Sequence, residues 1–277
     1  MTLTHPERPI ALLDHLDEIE HRIRLSKQIA LFLDFDGTIS HIVPVPRDAE
    51  LEPEVRAVVE RLVARPDFRV AIVSGRALSD VRTRAGIRNV IYAGNHGLEI
   101  EDDVITFREP RAASLRCELK SLLLQLKLAL SDTEGLEIED KGYTLSVHFR
   151  RVTEHLRDWV RNVATSTVAR SRSFMCREGK MVIDVRPHVD WSKAHAIKWI
   201  ARQVCVPGTL PIFIGDDVTD EDGFAALPEG ITIRVGELAE TEARYSLPNV
   251  SAVARFLNWL EHAKPHASLA HSQRAGR

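Results

Sequence analysis

Ile29-Ala30-Leu31-Phe32-Leu33-Asp34-Phe35-Asp36-Gly37-Thr38-Ile39 is the stretch around which the chain is organised. The apolar run Ile29 to Leu33 suits a strand buried on both faces of a parallel sheet. Asp34 and Asp36 follow two positions apart, so in extended backbone their side chains aim at one spot. Gly37 permits the sharp turn that leaves the strand. In open α/β sheets the carboxyl ends of the strands are where ligands and chemistry gather. Two anions held this close repel unless a cation sits between them. A lone Asp-x-Asp could also be a strand followed by an acidic capping turn. The decision rests on what the rest of the chain brings to it.

The 277 residues are enough for one large or two modest domains, and 44% hydrophobic with 28% charged residues is ordinary for a soluble globular enzyme. A formal net charge of -3 gives no electrostatic footprint for nucleic acid or an anionic membrane. Cys117, Cys176 and Cys205 are far apart, with no metal-ligand spacing, and read as reduced thiols. No apolar run reaches the ~18 residues of a membrane span, and the N-terminus lacks the apolar core of a signal peptide. These features lead us to expect a soluble cytoplasmic protein, which we take as a monomer.

Outward from the opening strand, the chain alternates. Residues 1–9 read as a loose arm, and Ile10 to Ile23 as a leading surface helix with Leu12, Leu13, Leu16, Ile19 and Ile23 at helical spacing. Pro44 and Pro46 mark a loop. Pro53 starts a helix with Val55, Val58, Val59, Leu62 and Val63 on one face. Arg69 to Val73 forms a second strand ending at Ser74-Gly75-Arg76, and Val90 to Ala93 a third, ending at Gly94-Asn95-His96-Gly97. Strand, helix, strand, helix, strand is the rhythm of a doubly wound parallel sheet.

The rhythm changes after Leu98. A hairpin over 98–107 turns at Asp102-Asp103, and Leu115 to Leu130 forms a helix. Tyr143 to Arg150 alternates as a half-buried strand with Thr144, Ser146, His148 and Arg150 on its polar face. Leu156 to Val163 is helical, and Met181, Ile183 and Val185 alternate again. This is a separate α+β lobe, placed at 103–187. The core rhythm resumes with a helix near Ser192-Lys193, a strand over Leu210 to Ile214 ending at Gly215-Asp216-Asp217-Val218-Thr219-Asp220-Glu221-Asp222, a strand over Ile231 to Val235 and a helix closing at Leu260. The fold class is therefore α/β, a doubly wound, Rossmann-like parallel-sheet core (1–102 and 188–264) with an inserted α+β domain. Residues 265–277 read as a disordered tail.

Four clusters thus converge at strand ends of one sheet: Asp34/Asp36, Ser74/Arg76, Asn95/His96 and the acidic run from Asp216 to Asp222, with Lys193 at a helix start. Carboxylates set opposite carboxylates suit a hard cation, Mg²⁺ by preference. Ser74 and Lys193 offer a hydroxyl and an ammonium for a phosphoryl oxygen. Without a glycine-rich nucleotide cradle, the set suggests phosphoryl transfer to an aspartate.

Asp34-Phe35-Asp36-Gly37-Thr38, Ser74-Gly75-Arg76, Lys193 and Gly215-Asp216-Asp217 resemble, in order, the four motifs of the haloacid-dehalogenase-like phosphatase superfamily. Ala93-Gly94-Asn95-His96-Gly97, Val185-Arg186-Pro187, Trp191-Ser192-Lys193-Ala194 and the Gly-Asp-Asp-x-Thr-Asp-Glu-Asp run narrow the resemblance, which covers about residues 28–260, to the trehalose-6-phosphate phosphatases. Ser192-Lys193-Ala194 stands where that family often has Asp-Lys-Gly, and the departure keeps the lysine. The resemblance implies roles. Asp34 is the nucleophile and Asp36 the acid and base. Ser74 and Lys193 hold the phosphoryl group. Mg²⁺ is bound by Asp34, Asp216 and the Asp36 main-chain carbonyl, with Asp217 and Asp220 in the layer behind. The inserted lobe is a cap, and trehalose 6-phosphate is the substrate. Asn95, His96, Arg76, His148, Arg150, Glu178 and Lys180 are the expected substrate contacts, Glu178 and Lys180 pointing together by their shared parity and belonging to a Glu-Gly-Lys segment. Arg76 has an alternative reading as an ion-pair partner of the acidic run. Sucrose-phosphate, mannosyl-phosphoglycerate or a hexose phosphate remain alternative substrates. A phospho-accepting receiver-type module is the non-enzyme reading, which Asp36 and the lid oppose.

Overall fold

The computed structural model describes residues 9–43, 45–237 and 240–265. Most of the expected N-terminal arm and C-terminal tail, and Pro44, lie outside the described residues. The chain opens with β1 (Ile10–Ala11) and α1 (Leu16–Leu25), then alternates through β2 (Gln28–Leu33), α2 (Pro53–Val63), β3 (Phe68–Val73), α3 (Leu78–Ala85) and β4 (Ile91–Gly94) to the pair β5 (Glu99–Glu101) and β6 (Thr106–Arg108). An inserted stretch follows: α4 (Pro110–Ser114), α5 (Arg116–Ala129), β7 (Glu137–Asp140), β8 (Leu145–His148), α6 (Glu154–Ala169), β9 (Phe174–Gly179) and β10 (Val182–Pro187). The alternation resumes in α7 (Lys193–Val204), β11 (Thr209–Gly215), α8 (Val218–Ala225), β12 (Ile231–Val235), β13 (Tyr245–Leu247) and α9 (Val250–His262).

The main sheet runs β1-β13-β12-β11-β2-β3-β4-β5-β6. It is parallel from β1 to β4, and β5 returns antiparallel to β4. All six residues of β2 are buried, and after Gln28 its apolar run Ile29–Leu33 suits a central strand covered on both faces. The strand order reverses between β2 and β11, and such a switch point leaves a crevice at the carboxyl ends of the strands. The register sharpens this: Leu33 lies between Ile214 of β11 and Ile72 of β3, so Asp34, Asp216 and Ser74 leave three adjacent strands at nearly the same height. Helices α2 and α9 pack side by side and cover one face. Val55, Val58, Val59 and Leu62 of the first, with Val253, Phe256, Leu257 and Leu260 of the second, are buried in the same core. Each such side chain contributes about 1.5–3 kcal/mol by leaving water.

The single leading helix expected over Ile10 to Ile23 is corrected. Ile10 and Ala11 pair in parallel with β13, Leu12–Asp14 is one tight turn, and the helix starts only at Leu16. The open edge of β13 offered backbone partners that outweighed the local helical periodicity. Leu12, Ile19 and Ile23 are fully buried, so this segment belongs to the core rather than to the surface.

The chain divides into two compact units, Phe107–Trp191 and the remainder up to Thr106 and from Ser192. In the inserted unit the sheet order is β7-β8-β10-β9, antiparallel throughout. One face packs Leu145, Val147, Ile183 and Val185 against Leu119, Leu122 and Leu126 of α5 and Val160 and Ala164 of α6. Strand β7 escaped the sequence reading because Glu137, Glu139 and Asp140 leave only Ile138 as an apolar signal. Where the unit begins and ends, the ring of Phe107 stacks on Trp191, centroids 4.7 Å apart. No helix among the described residues is long and apolar enough to cross a membrane.

Candidate active site

Asp34 follows β2 directly, and its main-chain N–H donates to the Ile214 carbonyl of β11. Its Oδ1 accepts from Lys193 Nζ at 2.6 Å, and the same ammonium donates to Asp220 Oδ1 at 2.7 Å. All three residues are buried. Asp220 is fully committed, since its Oδ2 accepts the main-chain N–H groups of Asp216 (3.1 Å) and Asp217 (3.0 Å). The acidic run from Asp216 to Asp222 leads into and opens α8, with Asp217 as N-cap and Asp220 closing a reciprocal capping box. Negative side chains at a helix N-terminus complement its dipole, which is why so acidic a sequence is stable here.

Two glycines let this cluster form. Gly37 has φ +78°, and a Cβ there would lie 2.0 Å from Asp216 Oδ2; at Gly215 it would lie 2.4 Å from the Asp220 carboxyl carbon. The carboxylates of Asp34, Asp216 and Asp220 each present an oxygen within 4.8 Å of the others. Three carboxylates against one buried ammonium leave a surplus of negative charge. Burial, opposed by Lys193 and reinforced by the charges of Asp220 and Asp216, pushes Asp34 well above the usual carboxylate range. Asp216 is pushed up to about 7, first by burial and then by Asp220. Lys193 is held above its ordinary value, because Asp220 and Asp34 outweigh the burial that would lower it. An oxygen-rich pocket with unmet negative charge fits a hard divalent cation. Asp34 and Asp216 are the carboxylates suited to hold it, because both oxygens of Asp220 already accept hydrogen bonds, Oδ1 from Lys193 and Oδ2 from two main-chain N–H groups.

Asp36 turns elsewhere. Arg76 grips it in a fork, Nη2 to Oδ1 at 2.6 Å and Nε to Oδ2 at 2.7 Å. The reading of Arg76 as an ion partner of the acidic run is thereby corrected: its partners are Asp36 and Asp80. Ser74 is buried at the end of β3, and its Oγ accepts the Arg76 N–H at 3.1 Å. The neighbouring loop is zipped onto this one, with Asn95 N–H donating to Arg76 O (2.6 Å) and His96 N–H to Ser74 O (2.9 Å). Both Asn95 (φ +50°) and His96 (φ +58°) occupy the left-handed region, a conformation that costs a non-glycine residue about 1–2 kcal/mol. Strain maintained by the surroundings is a mark of functional loops. The Asn95 side chain donates to Glu99 Oε2 at 2.7 Å, and the His96 ring lies over Gly75, where a Cβ would meet it at 2.4 Å.

In the inserted unit the four expected contacts separate. His148 lies on the sheet face away from α5 and α6, Nε2 3.0 Å from Glu139 Oε2. Arg150 falls beyond the end of β8 and donates to the Lys180 carbonyl at 3.2 Å. The premise that Glu178 and Lys180 point together is corrected. Strand β9 ends at Gly179, and Lys180-Met181 form the hairpin turn with Met181 at φ +64°, so alternation stops between them. Glu178 sits opposite buried Ile183 and 3.6 Å from Arg161 of α6, on the helix side of the sheet. The polar face also holds Asp184 and Lys141, which sequence reasoning did not single out, beside Ser146 and Arg186. Ser146 Oγ donates to Asp184 Oδ1 at 2.5 Å, Arg186 Nη2 to Asp184 Oδ2 at 3.2 Å, and Lys141 Nζ is 3.9 Å from Asp184. Their signal was present as parity, Asp184 and Arg186 alternating with Ile183 and Val185.

The fold so described is that of the haloacid dehalogenase-like hydrolases. A hydrolase of that class from Bacteroides thetaiotaomicron matches with a TM-score of 0.61 at 14% identity, over 84% of this chain and 100% of that one. The C-terminal domain of Candida albicans trehalose-6-phosphate phosphatase matches with a TM-score of 0.76 at 23% identity, over 92% and 98%. Within that class the chain belongs to the trehalose-phosphatase family, whose profile matches residues 32–251. The trehalose-phosphate phosphatase of Mycobacterium tuberculosis is 34% identical over 257 residues, covering 88% of this chain. The chain spans 64% of the length of that relative.

Proposed function

We propose that the protein is a Mg²⁺-dependent phosphatase that hydrolyses trehalose 6-phosphate to trehalose and phosphate. The observation that carries this reading is the buried Lys193 ammonium bridging Asp34 and Asp220 at 2.6 and 2.7 Å, with Asp216 against Gly37 beside them. A carboxylate so placed is held for attack rather than for solvation. In the reaction, Asp34 attacks phosphorus in line and forms an aspartyl-phosphate, splitting one difficult displacement into two. Asp36 gives its proton to the departing sugar oxygen, then takes one from the water that cleaves the acyl phosphate. Ser74 and Lys193 hold phosphoryl oxygens, and Lys193 keeps Asp34 oriented. Asp34, Asp216 and the Asp36 main-chain carbonyl would hold the Mg²⁺, which when bound offsets the repulsion between carboxylate and phosphate. Asp217 and Asp220 brace that loop from behind.

The substrate follows from the family and from the inserted unit, read here as a cap. Its polar face carries Glu139, Ser146, His148, Asp184 and Arg186 on rigid strands, the kind of donor and acceptor array that a disaccharide's hydroxyls require. Asn95, His96 and Arg76 are the contacts assigned to the core side, and Arg150, Glu178 and Lys180 those assigned to the β8 and β9 ends. Phosphate release with Mg²⁺ against a panel of sugar phosphates tests the reading. Trehalose 6-phosphate should exceed sucrose-phosphate, mannosyl-phosphoglycerate and glucose 6-phosphate, and equal rates would refute the narrow substrate. Acid-quenched enzyme should carry one phosphoryl group on the peptide containing Asp34, and an Asp34→Asn variant retaining full activity would sink the mechanism.

A further inference from the structure

The hold on Asp36 does not stop at Arg76. The Arg76 guanidinium is spent on all sides: Nε and Nη2 on Asp36, Nη2 also on the Pro46 carbonyl at 2.9 Å, and Nη1 on Asp80 Oδ2 at 2.8 Å. Asp80 lies one turn along in α3, and one turn further Arg84 Nε donates to both its oxygens, at 2.8 and 2.9 Å. Arg84 Nη1 in turn donates to the carbonyls of Arg47 (2.6 Å) and Ala49 (3.0 Å). Charges alternate along Asp36, Arg76, Asp80 and Arg84, and the last two ride on one helix face. The exposure is lopsided. The Arg76 side chain is 9% exposed, whereas the Asp36 side chain that it grips is 40% exposed. A buried guanidinium, fixed from behind, thus holds a carboxylate that is open on its other side. Each Asp36 oxygen retains a second acceptor site, on the side that Arg76 leaves free.

We propose that Asp80 and Arg84 are positioning residues for the reaction, acting through Arg76 to keep the Asp36 carboxyl in one orientation toward the leaving oxygen and the attacking water. Neither touches the substrate. The inference rests on the reading of Asp36 as the proton donor above. A solvent-facing aspartate otherwise samples several rotamers, and misplacement of a proton donor by about 1 Å costs up to ~100-fold. Bidentate pairing to a guanidinium that is itself fixed from behind removes that freedom.

The test compares a poor leaving group with a good one in the full chain with Mg²⁺. Sugar alkoxide must be protonated as it departs, whereas p-nitrophenolate leaves without a proton, and kcat/KM reports every step through transfer to Asp34. Asp80→Asn should lower kcat/KM about tenfold for trehalose 6-phosphate and less than about twofold for p-nitrophenyl phosphate. Arg84→Gln should show the same split at smaller size, and it stands in if Asp80→Asn does not fold. An equal fall on both substrates, or no change on either, would overturn the proposal. Asp36→Asn is the control: if it lowers both substrates equally, the proton-donor reading fails first. Should another sugar phosphate prove the better substrate, the same split is expected with it.

Discussion

Replacing Asp220 by asparagine keeps the shape of the side chain and removes what the structure uses. The carboxylate accepts from Lys193 Nζ through Oδ1 and from two main-chain N–H groups through Oδ2. Asparagine offers one acceptor oxygen and one donating NH₂. With the oxygen toward Asp216 and Asp217, the NH₂ faces the ammonium, donor against donor. Flipped, it satisfies Lys193 and opposes two amide hydrogens. No rotamer serves all three. Breaking one side of a buried ion pair costs about 3–5 kcal/mol. Lys193 keeps Asp34 at 2.6 Å, so the lower end applies, about 3 kcal/mol. At ~2–4 °C per kcal/mol for domains of this size, the core-unit transition should fall by roughly 6–12 °C. Lys193 loses one of its two anchors, and kcat for trehalose 6-phosphate should fall at least about 100-fold. Calorimetric melting and phosphate release on the same preparation check both numbers. A Tm within about 2 °C of the parent and kcat within about threefold would refute the view of Asp220 as the hub of this cluster.

Gly37→Ala puts a Cβ 2.0 Å from Asp216 Oδ2 at φ +78°, so the Mg²⁺ concentration for half-maximal activity should rise at least about tenfold with a stability loss of about 1–3 kcal/mol; an unchanged Mg²⁺ titration would show that Asp216 is not held by this approach. The pH dependence has a definite sign. Asp216 is raised from 3.8 to about 7 in the folded chain, so its contribution to stability is complete below about pH 4 and lost as pH rises through about 7. Because Mg²⁺ competes with that proton, the rise in Tm on adding Mg²⁺ should be larger at about pH 8 than at about pH 5, and an equal rise at both would contradict the assignment. Asp184→Asn, at the centre of the polar face of the inserted sheet, should raise KM for trehalose 6-phosphate about tenfold while leaving p-nitrophenyl phosphate hydrolysis within about twofold. Unchanged KM would remove that face from the specificity argument.

The core was legible because its residues obey local rules. A run of apolar residues with Asp34 and Asp36 at its end, and the same pattern at Ile214 and Val73, states a buried parallel strand and its reactive end without reference to anything distant. The beginning of the chain was misread for the opposite reason. Ile10 and Ala11 carry a helical period, and only the exposed edge of β13, far along the chain, turns them into a strand. Strand β7 is hidden by its charges, and the turn at Lys180-Met181 breaks a parity that the sequence alone suggests continuing.

At the site, the one-dimensional chain determined which residue types stand at strand ends, because burial and the carboxyl-end crevice of a parallel sheet depend on periodicity and order. It could not determine their partners. That Asp220 anchors Lys193, and that Asp36 is gripped by Arg76 with Asp80 and Arg84 behind it, follow from distances across separate elements of a few ångströms. Hydrogen bonds and ion pairs are decided at that range, by registers and helix phases that only the folded chain sets.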